Sequence, residues 1–117
     1  MAITLYGIPN CDQVKKARTW LDKNGLAYTF HDFKKAGISR DLVNGWLKHL
    51  AWDVLVNRKG TTWRALPDER KASIGDAKSA TELMLESPSI IKRPVLVSGG
   101  GTHVGFSDEL YQQIFKK

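Results

Sequence analysis

One cysteine, four prolines and three histidines are all that this 117-residue chain holds of the residues that cross-link, punctuate and ligate. A lone thiol, Cys11, cannot close an internal disulfide, so a disulfide scaffold is excluded and a thiol redox cycle must take its second sulfur from outside the chain. His31, His49 and His103 lie far apart, with no HExxH or Cys-His spacing, and no metal is expected. No apolar run approaches the ~18 residues of a membrane span, and the N-terminus lacks the basic, apolar and small-residue order of a secretory signal. No membrane role and a cytoplasmic location are the resulting expectations. Gly99-Gly100-Gly101 has no following Lys and Ser/Thr, so it is not a phosphate-binding loop. Internal repeats and low-complexity stretches are also missing.

What is present is ordinary for a globular protein: 42% hydrophobic and 26% charged residues, enough for a single domain over residues 1–117. Eighteen Lys and Arg against twelve Asp and Glu leave a formal charge of +6, which favours a small anion, an acidic protein surface or nucleic acid. The basic residues come as pairs such as Lys15-Lys16 and Lys34-Lys35 rather than as an arm, and the aromatics are scattered. Nucleic acid is therefore not the expected partner.

Residues 2–6 read as a strand ended by Gly7 and Pro9. From Asp12, Val14, Ala17 and Leu21 make an apolar helical stripe that Asn24-Gly25 stops. Asn10 and Gln13 have the spacing of a capping box, which places Cys11 at the first helical position. Leu26 to His31 reads as a second strand, completing a βαβ unit with parallel strands. Helices are expected from Ser39 to Leu50, as a turn over Asp53 to Asn57, from Pro67 to Ile74, and behind an Asp76 cap to Glu86, with a break at Gly60-Thr61-Thr62. A turn from Pro88 buries Ile90 and Ile91. Val95 to Ser98 and Thr102 to Gly105 read as a hairpin, the first strand central, and Ser107 caps a final helix that faces Leu110, Tyr111, Ile114 and Phe115 inward. The sum is a mixed α/β sheet with a helical insertion at about 34–87.

Cys11 has two readings at this point, a small buried hydrophobe or a reactive thiol. A helix N-terminus favours the second, because its unpaired N–H groups and the positive end of the helix dipole stabilise an anion. Asp12 opposes that effect, Lys15 supports it, and Arg93 would add to it if the fold returns it to the site. Pro94 either marks the first residue of a strand or, if cis, shapes a tight surface beside an extended thiol ligand.

Gly7-Ile8-Pro9-Asn10-Cys11, Arg58-Lys59-Gly60-Thr61-Thr62-Trp63-Arg64 and Ile90-Ile91-Lys92-Arg93-Pro94 occur in order, with Gly105-Phe106-Ser107-Asp108 near the end. Together they resemble the arsenate reductase-related family, with its Spx and YffB-like branches, and most of all the YffB-like branch. The resemblance spans essentially the whole chain. It implies a thioredoxin-like fold with a helical insertion, a cis Pro94, Cys11 as redox nucleophile and Arg93 as the residue that holds an anion or stabilises the thiolate. At the positions of two further arginines of glutathione-coupled arsenate reductases this chain has Asn57 and Phe106, neither of which can replace a guanidinium. Val14 stands where an Spx-like CxxC switch has its second cysteine.

The function these residues imply is a glutathione-dependent monothiol reductase acting on a disulfide or mixed disulfide, with glutathione as co-substrate and no tightly bound cofactor. Cys11 and Arg93 would carry the chemistry. Asn10, Lys15, Arg58, Arg64, Arg93 and Pro94 would bind glutathione or substrate. Arsenate reduction is the enzyme alternative, and an Spx-like protein-interaction or transcription-associated module, with a protein partner, is the non-enzymatic one.

Overall fold

A computed structural model describes residues 2–116. In chain order it contains β1 (Ile3–Gly7), α1 (Asp12–Lys23), β2 (Thr29–Asp32), α2 (Phe33–Ala36), α3 (Arg40–Leu47), α4 (Trp52–Leu55), α5 (Thr61–Arg64), α6 (Asp68–Ser73), α7 (Ala77–Glu86), a 3-10 turn (Pro88–Ile90), β3 (Val95–Ser98), β4 (Gly101–Val104) and α8 (Asp108–Phe115). These fall into two compact units, the first running through Ala36 and resuming at Arg93, the second Gly37–Lys92.

The first unit is a four-stranded sheet in the order β2-β1-β3-β4. β1 and β2 are parallel, and β1–β3 and β3–β4 are antiparallel. Both the parallel βαβ unit and the central place of Val95–Ser98 follow the sequence expectation. The second strand is shorter than expected, starting at Thr29. Leu21 accepts from the Leu26 backbone after the helix ends, at 3.0 Å, and this return bond holds Leu26 out of the ladder. Alternation along β1 puts Ile3, Leu5 and Gly7 on the buried face. Val14, Ala17, Trp20 and Leu21 of α1, Leu96 of β3 and Tyr111 of α8 join Ile3 and Leu5 in one core, each large aliphatic contributing about 1.5–3 kcal/mol by leaving water. Helical spacing predicts the α1 stripe except for Trp20, which extends it toward α8.

The aromatic side of that core is tightly arranged. The Trp20 ring meets Tyr111 edge-on at 5.5 Å and Phe115 in a stack at 5.7 Å, while Phe106 meets Tyr111 edge-on at 4.8 Å. Such pairs add about 0.5–1.5 kcal/mol beyond burial. α8 starts as expected, with the Ser107 hydroxyl accepting from the Leu110 N–H at 3.0 Å.

The second unit is helical. Val43 and Trp46 of α3, Leu55 and Val56, Ile74, Ala80, Leu83 and Met84 of α7, and Ile90 and Ile91 are buried. Ser39 and Asp76 cap α3 and α7 as expected, Asp76 in a capping box with Ser79. α3 ends at Leu47 rather than Leu50, because the His49 and Leu50 N–H groups both bond back to the Trp46 carbonyl and close the turn. The expected break at Gly60-Thr61-Thr62 is instead a helix start: Gly60 is the N-cap of α5, and its carbonyl accepts from Arg64 N–H at 3.1 Å. An isolated antiparallel bridge pairs Val56 with Ile91. The architecture is a mixed α/β thioredoxin-like fold with a helical insertion.

Candidate active site

Sheet register gathers the chemistry at one end of the first unit. Tyr6, near the end of β1, lies opposite Val95, the first residue of β3, and Val95 lies opposite Val104, the last residue of β4. The segments Ile8–Cys11, Arg93-Pro94 and Gly105-Phe106 therefore leave the sheet at the same edge. It is also the carboxyl end of the parallel pair β1 and β2, where α/β folds commonly hold ligands.

Cys11 is the N-cap of α1, not its first helical residue. Its backbone is extended, with φ −94° and ψ 128°, and its carbonyl accepts the Lys15 N–H at 2.9 Å. Its own N–H donates to the Ile8 carbonyl at 3.4 Å, closing the turn through Pro9 and Asn10. The expected Asn10–Gln13 capping box is corrected by this register. Asn10 lies one residue outside the cap, exposed, and Gln13 falls at the second helical position, while the third is the buried Val14. No side chain caps α1. Cys11 is thus the residue at the cap position, where the first-turn N–H groups usually bond to a side-chain oxygen, and its sulfur makes no such bond. It is half-buried and packs on the edge of the hydrophobic core, so one face is shielded and the other reaches solvent.

Arg93 and Pro94 lead into β3 at this same end of the sheet. Their peptide bond is cis, Pro94 is buried and Arg93 is half-buried. The Pro94 carbonyl accepts the Gly105 N–H at 2.9 Å, tying this segment to the end of β4. Lys15 is exposed on the outer face of α1, one turn beyond Cys11.

Arg58 and Arg64 belong to the second unit. The Arg58 guanidinium lies 5.9 Å from the centre of the Trp52 ring, a cation–π arrangement. Arg64 is exposed at the end of α5, and its carbonyl accepts from the Lys71 ammonium at 3.2 Å. Asn57 is engaged locally: its N–H donates to the Ile90 carbonyl at 2.8 Å, and its side-chain oxygen accepts the Lys59 N–H at 3.2 Å. Phe106 belongs to the aromatic cluster with Tyr111.

Sequence reasoning missed three features of this end. Gly7 is pressed against Val14, Tyr6 meets His31 at 5.0 Å between ring centres, and Tyr111 buries its hydroxyl. The Tyr6–His31 contact had a readable source, since parallel β1 and β2 in this register place the two side by side. Burial raises the Tyr6 hydroxyl above its ordinary pKa, against a smaller lowering by its bond to Thr4. Among the described residues, no group of three His, Cys, Asp or Glu could hold a metal ion, and no helix is long and apolar enough to cross a membrane.

The model of the ArsC family matches residues 6–114. The solved structure of a YffB protein is 49% identical, covers 96% of this chain and 97% of its own, and superposes with a TM-score of 0.91. An arsenate reductase (ArsC) related protein from Brucella melitensis is also 49% identical, with 100% and 97% coverage and a TM-score of 0.78. An uncharacterized protein of Haemophilus influenzae is 39% identical over 113 residues, 97% of this chain and 98% of its own length. With one family model running from β1 into α8, and relatives of this identity matched almost end to end, the chain belongs to the ArsC family.

Proposed function

We propose that this protein is a glutathione-dependent monothiol reductase acting on disulfides or glutathione mixed disulfides. The observation that carries the reading is the placement of its one cysteine: Cys11 is the N-cap of α1, half-exposed, with the helix N-terminus behind it. A helix N-terminus is the kind of position that favours an anion, and the proposed cycle needs no second cysteine in the chain.

In the proposed cycle the Cys11 thiolate attacks the glutathione sulfur of a mixed disulfide in line with the S–S bond. The substrate leaves as a thiolate and takes a proton from water, and Cys11 becomes glutathionylated. A glutathione thiolate then attacks that new disulfide at the glutathione sulfur, forming oxidised glutathione and restoring Cys11. The substrate gains two electrons and two glutathione units become one disulfide. Arg93 orients a glutathione carboxylate, Lys15 adds positive potential, and Asn10 and Pro94 frame the extended tripeptide.

Arsenate reduction is the weaker enzyme reading. Asn57 offers only one amide nitrogen and Phe106, part of the aromatic cluster, no polar atom, so neither supplies the paired N–H fork that a guanidinium presents to a compact oxyanion. The deciding experiment incubates the protein with oxidised glutathione, follows the intact mass, and then adds reduced glutathione. A single glutathione adduct on Cys11 that reduced glutathione removes, with turnover of a glutathionylated substrate, is the expected result. Wild type and Cys11→Ser equally inactive on disulfides would sink the proposal, and coupled turnover of arsenate instead of disulfides would replace it.

A further inference from the structure

A groove of about 880 Å³ runs beside the outer face of α1 and the start of α8. Cys11 does not line it. Lys16, Trp20 and Lys23 recur at the spacing of one helix face, Lys15 stands at the same wall, and Phe106 and Asp108 come from the other side. Trp20 and Phe106 are fixed through Tyr111, which meets both rings edge-on, so the apolar floor is rigid before anything binds. Lys15, Lys16 and Lys23 make no ion pair among the described residues; the pairs there are Arg40–Glu82 and Arg70–Glu86. Three ammonium groups therefore face one carboxylate, Asp108, around an aromatic floor.

From this charge pattern we infer that the groove docks an acidic segment of a protein partner, with an apolar side chain seated on Trp20 and Phe106 and carboxylates meeting the lysines. A groove of this size is large enough for a short peptide segment. Nucleic acid fits less well, because three lysines on one short helix do not track a phosphate backbone and the two aromatic rings, held edge-on to Tyr111, do not stand out as a stacking platform. The surface needs no thiol chemistry, so it stands apart from the reading of Cys11.

The test uses fluorescence anisotropy of the full chain with a labelled peptide that alternates Glu and Leu. Binding should weaken at least about tenfold, the loss of one or two charge contacts, in Lys16→Glu/Lys23→Glu. It should be nearly unchanged in Lys34→Glu/Lys35→Glu, which alters net charge equally at two exposed positions of α2, and in Cys11→Ser. A Gln-for-Glu peptide should bind poorly. Equal weakening by both charge-reversal pairs would overturn the proposal, since it would mean attraction by net charge alone. So would no measurable binding of the acidic peptide by folded wild type, or preferential binding of a single-stranded oligonucleotide displaced by the same lysine changes.

Discussion

A Cβ on Gly7 would lie 2.7 Å from Cγ2 of Val14. A side chain at the last residue of β1 would therefore require Val14, in the first turn of α1, to shift, and the loop bearing Cys11 is the link between them. Gly7→Ala should force Val14 aside, destabilise the protein by about 1–3 kcal/mol, as overpacking does, and slow the reaction of Cys11 with oxidised glutathione. In Gly7→Ala/Val14→Ala the clashing methyls are gone, so the two changes should cost less together than their sum. Chemical denaturation of the four proteins in a double-mutant cycle measures this coupling.

Arg93→Ala is expected to lower kcat/KM for a glutathionylated substrate by about 10–100-fold, the loss of a charge-assisted hydrogen bond. Arg93→Lys should recover part of it, mainly through KM. Equal losses of activity and thermal stability in both variants would place Arg93 in a structural role.

The cap register of α1 gives a contrast between two helix starts. Ser107→Ala removes the hydroxyl that accepts from Leu110 and should cost about 1 kcal/mol. Asn10→Ala removes a side chain that caps nothing, and should change stability by less than about 0.5 kcal/mol. Urea midpoints at constant m-value distinguish the two.

These helix starts mark the limit of what the sequence reveals. Ser39, Asp76 and Ser107 are readable as caps because an oxygen stands before an apolar period and bonds to the backbone as oxygen caps do. At α1 the same pattern misleads, since the turn through Pro9 and Asn10 advances the start by one residue and leaves sulfur at the cap. Cys11 and Arg93-Pro94 are visible as motifs, and the βαβ order together with the central β3 explains why they leave the sheet at one end. The Lys16–Trp20–Lys23 groove is invisible beforehand because its other side, Phe106, Ser107, Asp108 and Gln112, comes from the far end of the chain. Asn57 and Phe106 are readable as departures from the arginine pattern, but their engagement with Lys59 and Tyr111 depends on tertiary placement.

Tyr111 is fully buried, and its hydroxyl has no hydrogen-bond partner among the described residues. Burial pushes its ionisation far above the ordinary phenol range. Tyr111→Phe keeps the rings that meet Trp20 and Phe106 and removes only the desolvated oxygen. Stability should stay level or rise by up to about 1–2 kcal/mol, read as a higher thermal midpoint.

His103 supplies a pH signature. Its burial on β4 holds the imidazole below its ordinary pKa of 6.5, so the unfolded chain binds the proton more readily. The folded state loses stability as pH falls below 6.5, and the loss levels off below the depressed folded value. His103→Gln should flatten the denaturation midpoint between about pH 7 and 5. Asp76 acts lower: its bonds to Ser79 depress the carboxyl below 3.8, and the stability it adds is lost only as pH falls through that acidic range.

The pairing of Tyr6 with Val95 has a consequence for biogenesis. Cys11 is made before the helical insertion, and Arg93, Pro94 and the strand they lead into are made only after it. A ribosome-bound chain stopped at Lys92 would carry the thiol and the start of α1 without Arg93, Pro94 or β3. Such a non-local pairing closes late, so the nascent thiol stands without β3 and Arg93-Pro94 until the sheet is completed.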